Sequence, residues 1–158
     1  MFYKRDRDDF DFLSNFYPAS IILDEITWPS VEHYYQGQKS HNPDYTSKIL
    51  QKDIASWAKF VGDSRIGNPH IAKKSWFRRH PGDLRTDWDE IKEDVMRRAV
   101  STKFYQNADL REKLRRTWPA KLIEDSKRDP YWGWGEDKSG KNMLGTILMQ
   151  VRDQIRKS

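Results

Sequence analysis

The chain contains no cysteine. That absence excludes disulfides, thiolate nucleophiles, iron–sulfur clusters and cysteine-based zinc sites together, and it fits a reducing compartment. Long hydrophobic runs are missing as well. No apolar stretch approaches the ~18 residues a membrane span needs, and no charged-then-apolar leader opens the sequence. The expectation is a soluble, cytoplasmic protein with no membrane partner. Charge of one sign is scarce: 29 Lys and Arg stand against 24 Asp and Glu, a net charge of +5. That balance suits phosphate-bearing ligands but is too mild to indicate nucleic acid by itself. Repeats and low-complexity linkers are absent, so 1–158 reads as one domain, long enough to bury a core. His33, His41, His70 and His80 lack metal-ligand spacings such as H-E-x-x-H, so neither a metal nor a cofactor is expected.

What the chain does have is aromatic residues: seven Trp, seven Tyr and seven Phe. Rings of this size supplement a small aliphatic core, and they also form platforms on which a base or sugar stacks. Ile21, Ile22, Leu23, Ile26 and Trp28 lie around the acidic pair Asp24-Glu25, a pattern that predicts two short strands joined by a tight turn. Ser30 is a candidate N-cap for a helix running to about residue 40. Ile54, Trp57, Ala58 and Val61 have helical spacing, with Gly62 as the stop. "NPHIAKKSWFRRHPGDL" predicts a further short helix before the break at Pro81-Gly82. "DWDEIKEDVMRRAVSTKFYQ" predicts a long helix capped by Asp87, with Trp88, Ile91, Val95, Ala99 and Thr102 on one face. "NADLREKLRRTW" continues as another helix. The final helix carries Leu144, Ile147, Leu148, Val151 and Ile155 in a stripe, its cationic end matching the helix dipole. Between these last two helices runs a Gly- and Pro-marked connection over 119–141, a length that often signals function. The fold class expected is α+β: a mainly helical single domain with a small N-terminal antiparallel β element.

Several clusters carry candidate chemistry. From Gly135 the sequence reads G-E-D-K-S-G-K-N, close to a P-loop. Asn142 stands where Ser or Thr would bind magnesium, and there is no room for the parallel sheet that fold requires. What remains is a helix N-terminus behind Gly140, Lys141 and Asn142, whose amides could hold a phosphate. In "WPSVEHYYQGQK", Glu32, Gln36 and Lys39 fall on one helical stripe beside Tyr35. The same spacing also describes an exposed Glu–Lys face. Asp129 precedes Pro130, which is commonly a turn. It also pairs conceptually with Glu32, since two carboxylates around a sugar carbon stabilise an oxocarbenium-like state and activate water. Trp132 and Trp134 could stack on a planar leaving group, with Gly133 letting a ligand approach the backbone. Arg78, Arg79, His80 and Arg85 could grip pyrophosphate or a nucleic-acid backbone, or simply face solvent.

The blocks "FLSNFYPASI", "ITWPSVEHYYQGQK", "LRTDWDEIKEDVMRRAVSTKF" and "YWGWGEDKSGKNMLGTILMQVR" together resemble the YbiA-like, or NADAR, family, in the family's order and over roughly residues 10–152. The resemblance implies a small α+β domain that hydrolyses N-glycosidic bonds at ribose C1′. Two substrate classes go with it: ADP-ribose linked to guanine, in DNA, RNA or nucleotide, and a phosphoribosylamino-pyrimidine intermediate of riboflavin synthesis. By motif position it marks Glu32, Lys39, Trp88, Asp129, Trp132 and Asn142 as ligand-pocket residues, joined by Asn15 and Phe16. Tyr35, Gln36, Gly133 and Lys141 complete the candidate binding set. Glu32 is expected to orient water or stabilise the cation at C1′. Asp129 would anchor ribose hydroxyls or act as acid or base. Lys39 would bind phosphate or attack ring-opened C1′ as an amine. The segment Arg65–Asp83 is longer than in compact members, so substrate choice could differ here. Two competing readings are a non-catalytic ADP-ribose-binding module and a nucleic-acid-binding domain. Both Glu32 and Asp129 favour the enzyme.

Overall fold

A computed structural model describes residues 9–158, which form two compact units. One consists of Pro18–Ala99; the other joins the residues up to Tyr17 with Val100–Ser158.

In the first unit, β1 (Ile21–Leu23) and β2 (Ile26–Trp28) pair antiparallel, Ile21 opposite Trp28 and Leu23 opposite Ile26. The two-residue turn places Asp24 and Glu25 at φ 54° and 62°, the doubly left-handed geometry that matches strand twist in tight hairpins. The Asp24 carboxylate accepts from Arg98 at 2.8 Å and from the Tyr34 hydroxyl at 3.3 Å. Helix α1 (Val31–Gly37) starts where expected, the Ser30 hydroxyl accepting from the His33 amide. It ends a little early, because the capping amide of Gln38 already bonds back to Tyr34 and Gln36. Helix α2 (Pro43–Ile49) was not anticipated, although its signals are conventional: Asn42 accepts from the Asp44 amide, and Pro43 occupies the first turn. Helix α3 (Ala55–Val61) stops at Gly62 as its sequence predicts. Helices α1, α2 and α3 pack on one another around Tyr34, Tyr45, Ile49, Ala58 and Val61.

The helix expected in "NPHIAKKSWFRRHPGDL" does not form; the chain turns there, with one short 3₁₀ stretch at Pro81–Asp83. Local side chains take the amides a helix would need. Asn68 accepts from His70, and Asp63 accepts from Arg65 and Ala72. Such bonds are the standard competitor to helix in Asn- and Asp-rich segments.

Helix α4 (Trp88–Gln106) belongs to both units by sequence. Its first amides bond to the Asp87 carbonyl, while the Asp87 carboxylate pairs with Arg85 instead of capping. The deeply buried stripe is Met96, Ala99, Val100, Lys103 and Phe104, displaced from the expected Ile91–Val95 face, whose two residues are only half-buried.

In the second unit, α5 (Ala108–Arg116) packs on α6 (Met143–Lys157) through Leu110 and Leu114 on one side and Ile147, Leu148, Val151 and Ile155 on the other. Lys103 sits in this core 1% exposed. Its ammonium donates to the carbonyls of Phe12 and Ser14 and lies 5.3 Å from the Tyr17 ring centroid. Burial pushes its pKa from the ordinary 10.5 down to about 7, against a smaller opposite pull from Asp11. The unfolded chain therefore holds a proton between about pH 7 and 10.5 that the folded chain has released, and stability rises with pH in that window. Lys39, described below, adds a contribution of the same sign. We expect urea midpoints of Lys103→Met to climb less steeply from pH 7.5 to 9.5, the difference approaching ~1.4 kcal/mol per pH unit. Parallel curves for the two proteins would show that Lys103 keeps its proton in the fold.

Among the described residues no helix is long and apolar enough to cross a membrane.

Candidate functional site

The predicted candidates fall into two groups, one in each unit. The first is built on α1. Ser30 and His33 fix its start: the Ser30 hydroxyl lies 2.8 Å from His33 Nδ1, and His33 Nε2 lies 2.9 Å from the Lys52 carbonyl. A carbonyl only accepts, so Nε2 carries the proton and Nδ1 accepts from Ser30. Burial lowers the His33 pKa, which keeps the ring neutral. His33 is thereby a structural tie between the helix and the chain at residue 52.

Glu32, Gln36 and Lys39 share one face, as the spacing predicts, but the face is not solvated. They are 5%, 6% and 7% exposed. Gln36 Nε2 donates to Glu32 Oε1 at 2.8 Å. Lys39 Nζ donates to the Gly62 carbonyl at 2.8 Å and to the Ser64 hydroxyl at 3.3 Å. The carboxyl end of α3 thus presents a backbone oxygen to a buried ammonium, the polarity that a helix terminus favours. Gly62 is required there sterically: a Cβ would stand 2.2 Å from Gln36 Oε1. Above the stripe, the Tyr35 and Trp88 rings meet edge-on at 5.0 Å, and Lys39 Nζ lies 5.7 and 5.5 Å from their centroids.

Burial lowers the Lys39 pKa to about 8. The charges of Glu32 and Asp63 oppose that shift, and Lys59 and Lys92 assist it. At pH 7 roughly a tenth of the side chain is then free amine, about three hundred times more than for an ordinary lysine. Asp63 stays ionised beside it. Its own burial would raise its pKa, but the Arg65 guanidinium and the Ala72 and Arg65 amides together hold it at about 2. A carboxylate, an amide and a partly deprotonated amine in one dry row can bind an electron-poor sugar carbon and transfer protons at it.

The second group lies on the connection before α6. Asp129 Oδ1 accepts from the amides of Tyr131 and Trp132 at 3.0 and 2.9 Å, so the carboxylate builds the turn that its place before proline suggested. Trp132 is half-buried, with its ring edge-on to Tyr131 at 5.1 Å. The Trp134 indole donates to Asp125 at 3.1 Å. Gly133 answers to packing by its own chain and not to ligand approach, because a Cβ there would stand 2.7 Å from the Glu124 carbonyl.

The expectation of free amides at the start of α6 is corrected here. The amides of Lys141, Asn142, Met143 and Leu144 donate to the carbonyls of Pro130, Gly133, Tyr131 and Trp132. The connection folds over the helix N-terminus and fills the positions that a phosphate would need. Asn142 has a left-handed backbone, φ 51°. Its side chain accepts from the Glu124 amide and donates to the Leu122 carbonyl, both at 2.9 Å. Gly145 follows because a Cβ would meet that same Leu122 carbonyl and Asn142 amide group at 2.3 and 2.4 Å. The G-x-N-x-L-G block therefore encodes a staple between the connection and the helix. The Lys141 ammonium lies 4.9 Å from the Tyr131 ring centroid on an exposed residue. Asn15 and Phe16 belong to this unit. The Phe16 amide donates to the Ser14 hydroxyl at 3.1 Å, and Lys103 holds the Ser14 carbonyl.

A profile described as the NADAR domain matches residues 1–156. The chain belongs to the NADAR family. This NADAR chain is 39% identical over 148 residues to the N-glycosidase YbiA of Shigella flexneri, an alignment covering 94% of this chain and 83% of the relative. It is also 39% identical over 155 residues to a riboflavin biosynthesis protein of Vibrio vulnificus, covering 98% of this chain and 38% of that longer protein. The NMR structure of E. coli YbiA matches its fold with a TM-score of 0.79 at 38% identity, covering 99% of this chain and 83% of that one. The mainly helical α+β class with one small antiparallel sheet is thus that of a known NADAR structure.

Three buried contacts were not anticipated from sequence, two in the group around Lys39 and one in the other unit. Gly62 reads only as the stop of α3, and neither it nor Ser64 signals its bond to Lys39, because they meet it across 23 and 25 residues of chain. Lys103 did carry a local signal: a lone cation among Met96, Ala99, Val100 and Phe104 on an apolar helix face.

Proposed function

We propose that the protein hydrolyses the bond between ribose C1′ and an attached nitrogen, with ADP-ribose on guanine as its substrate. The protein is an N-glycosidase in the manner of its relatives; the substrate is our own assignment. The observation that carries it is the buried row Glu32–Gln36–Lys39 beneath Tyr35 and Trp88. In the direct route, Glu32 orients water toward C1′ and offsets the positive charge that grows there as the C–N bond breaks. The departing nitrogen takes a proton, and ribose gains the hydroxyl. In the covalent route, the Lys39 amine adds to C1′ of ring-opened ribose and the nitrogen group leaves. The resulting imine is then hydrolysed by water, which frees the lysine. A pKa near 8 suits the second route, since both the nucleophilic amine and its protonated form are populated at neutral pH.

A second reading is favoured by the name of the Vibrio vulnificus relative, a riboflavin biosynthesis protein. In that reading the substrate is a phosphoribosylamino-pyrimidine, and the leaving group is its aminopyrimidine. The two separate in one experiment: incubation with guanine-ADP-ribosylated DNA and, in parallel, with the riboflavin-pathway intermediate, with products identified by mass. Release of ADP-ribose and unmodified guanine in the first arm supports the proposal. Release of ribose 5-phosphate in the second arm alone replaces it, and ligand-induced thermal stabilisation without turnover in either arm assigns a binding module.

A further inference from the structure

Trp57, on α3, is surrounded by lysines. The ammonium groups of Lys48, Lys52 and Lys74 lie 5.2, 4.7 and 5.2 Å from its ring centroid. They arrive from three separate stretches of chain: the last turn of α2, the connection after it, and the turn-rich segment that follows α3. The ring itself is held in place, its Nε1 donating to the Lys48 carbonyl at 2.9 Å. Among the described residues, none of the three ammonium groups has a carboxylate within ion-pair distance. Other basic groups of the same unit are neutralised: Arg65 by Asp63, Arg85 by Asp87, Arg98 by Asp24. Beside Trp57 in sequence, Ile54 and Phe60 are 58% and 49% exposed.

Three like charges gathered around one ring repel one another, and cation–π attraction offsets only part of that repulsion at a solvated site. An anion with several charges offsets the rest. A run of phosphodiesters fits best, because the three lysines are spread around an aromatic platform that has apolar neighbours. Cationic groups along the backbone and rings beneath the bases are how sequence-tolerant single-strand surfaces are built.

We propose that the Lys48–Lys52–Lys74 cluster around Trp57 is a docking surface for single-stranded nucleic acid. The inference rests on the N-glycosidase reading for its purpose, which is to hold a polymer that carries the base to be released. Its test does not depend on turnover. Wild-type protein and the variant Lys48→Gln/Lys52→Gln/Lys74→Gln are titrated into an unmodified fluorescent 12-mer of single-stranded DNA at 50–200 mM salt. The wild type is expected to show a log–log salt slope near −2, about 0.7 per phosphate for three contacts. The variant should bind at least ~10-fold more weakly with a correspondingly shallower slope. Hydrolysis of a mononucleotide substrate should keep its kcat/KM in the variant, while KM for an oligonucleotide carrying the same group rises. Equal oligonucleotide affinity of the two proteins, or a wild-type affinity insensitive to salt, overturns the proposal. Loss of hydrolysis on both substrate forms, with the binding difference intact, counts against the reaction and supports the surface.

Discussion

Glu32→Gln lowers turnover by at least ~100-fold, the scale of a lost acid–base or charge-stabilising carboxylate, and leaves the fold in place. The substitution is nearly isosteric, and an amide oxygen at Oε1 can still accept from Gln36 Nε2, a bond of 2.8 Å in the wild type. The lost element is the negative charge in a position 5% exposed, where low dielectric strengthens its action on a cationic sugar carbon. A second consequence distinguishes this variant from one that is merely misfolded. The Glu32 charge is the largest influence holding the Lys39 pKa up against burial. Removing it moves the lysine further below 8, so the residual activity should reach its alkaline plateau at lower pH than in wild type. Product release by steady-state chromatography over pH 6–10, together with a thermal midpoint, tests both points. Turnover close to wild type would take Glu32 out of the chemistry.

The second large effect concerns Lys39. In the covalent route the free amine is the reactant, so kcat/KM should rise with pH through about 8 and then level off. Lys39→Arg and Lys39→Met should each lose at least ~10³-fold, as expected when a nucleophile is removed. Lys39→Arg retains the positive charge, and Lys39→Met retains most of the volume. If Lys39 instead anchors a phosphate, Lys39→Arg keeps kcat and changes mainly KM. Borohydride added during turnover should trap a lysine–ribose adduct, read as intact mass on the wild type and missing from both variants. No adduct on the wild type argues for direct attack by water. The bonds from Lys39 Nζ to the Gly62 carbonyl and Ser64 hydroxyl are lost in Lys39→Met. That exposes an unpaired acceptor worth ~1–3 kcal/mol, partly offset by removal of a buried charge, so a modest change in thermal midpoint is compatible with either role.

Much of the site was legible before the structure. The period of α1 placed Glu32, Gln36 and Lys39 on one stripe, and Ser30 announced where the helix begins. The hairpin at Asp24-Glu25 and the apolar stripe of α6 were equally plain, because each is decided by neighbours within a few residues. The "NPHIAKKSWFRRHPGDL" helix failed for a related reason: the Asn68 and Asp63 side chains won the local competition for amides, which helical periodicity does not register.

By itself the sequence determined the local elements, the candidate residue types and the family blocks in their order. Each of these depends on spacing along the chain. Tertiary structure alone decided that the Glu32–Gln36–Lys39 face is dry, because the Gly62 end of α3 closes on it. It also decided that the amides ahead of α6 are spent on the carbonyls of Pro130–Gly133. Burial, and with it the lowered pKa of Lys39 and Lys103, is set by which distant segments exclude water from a group, and no local pattern encodes that.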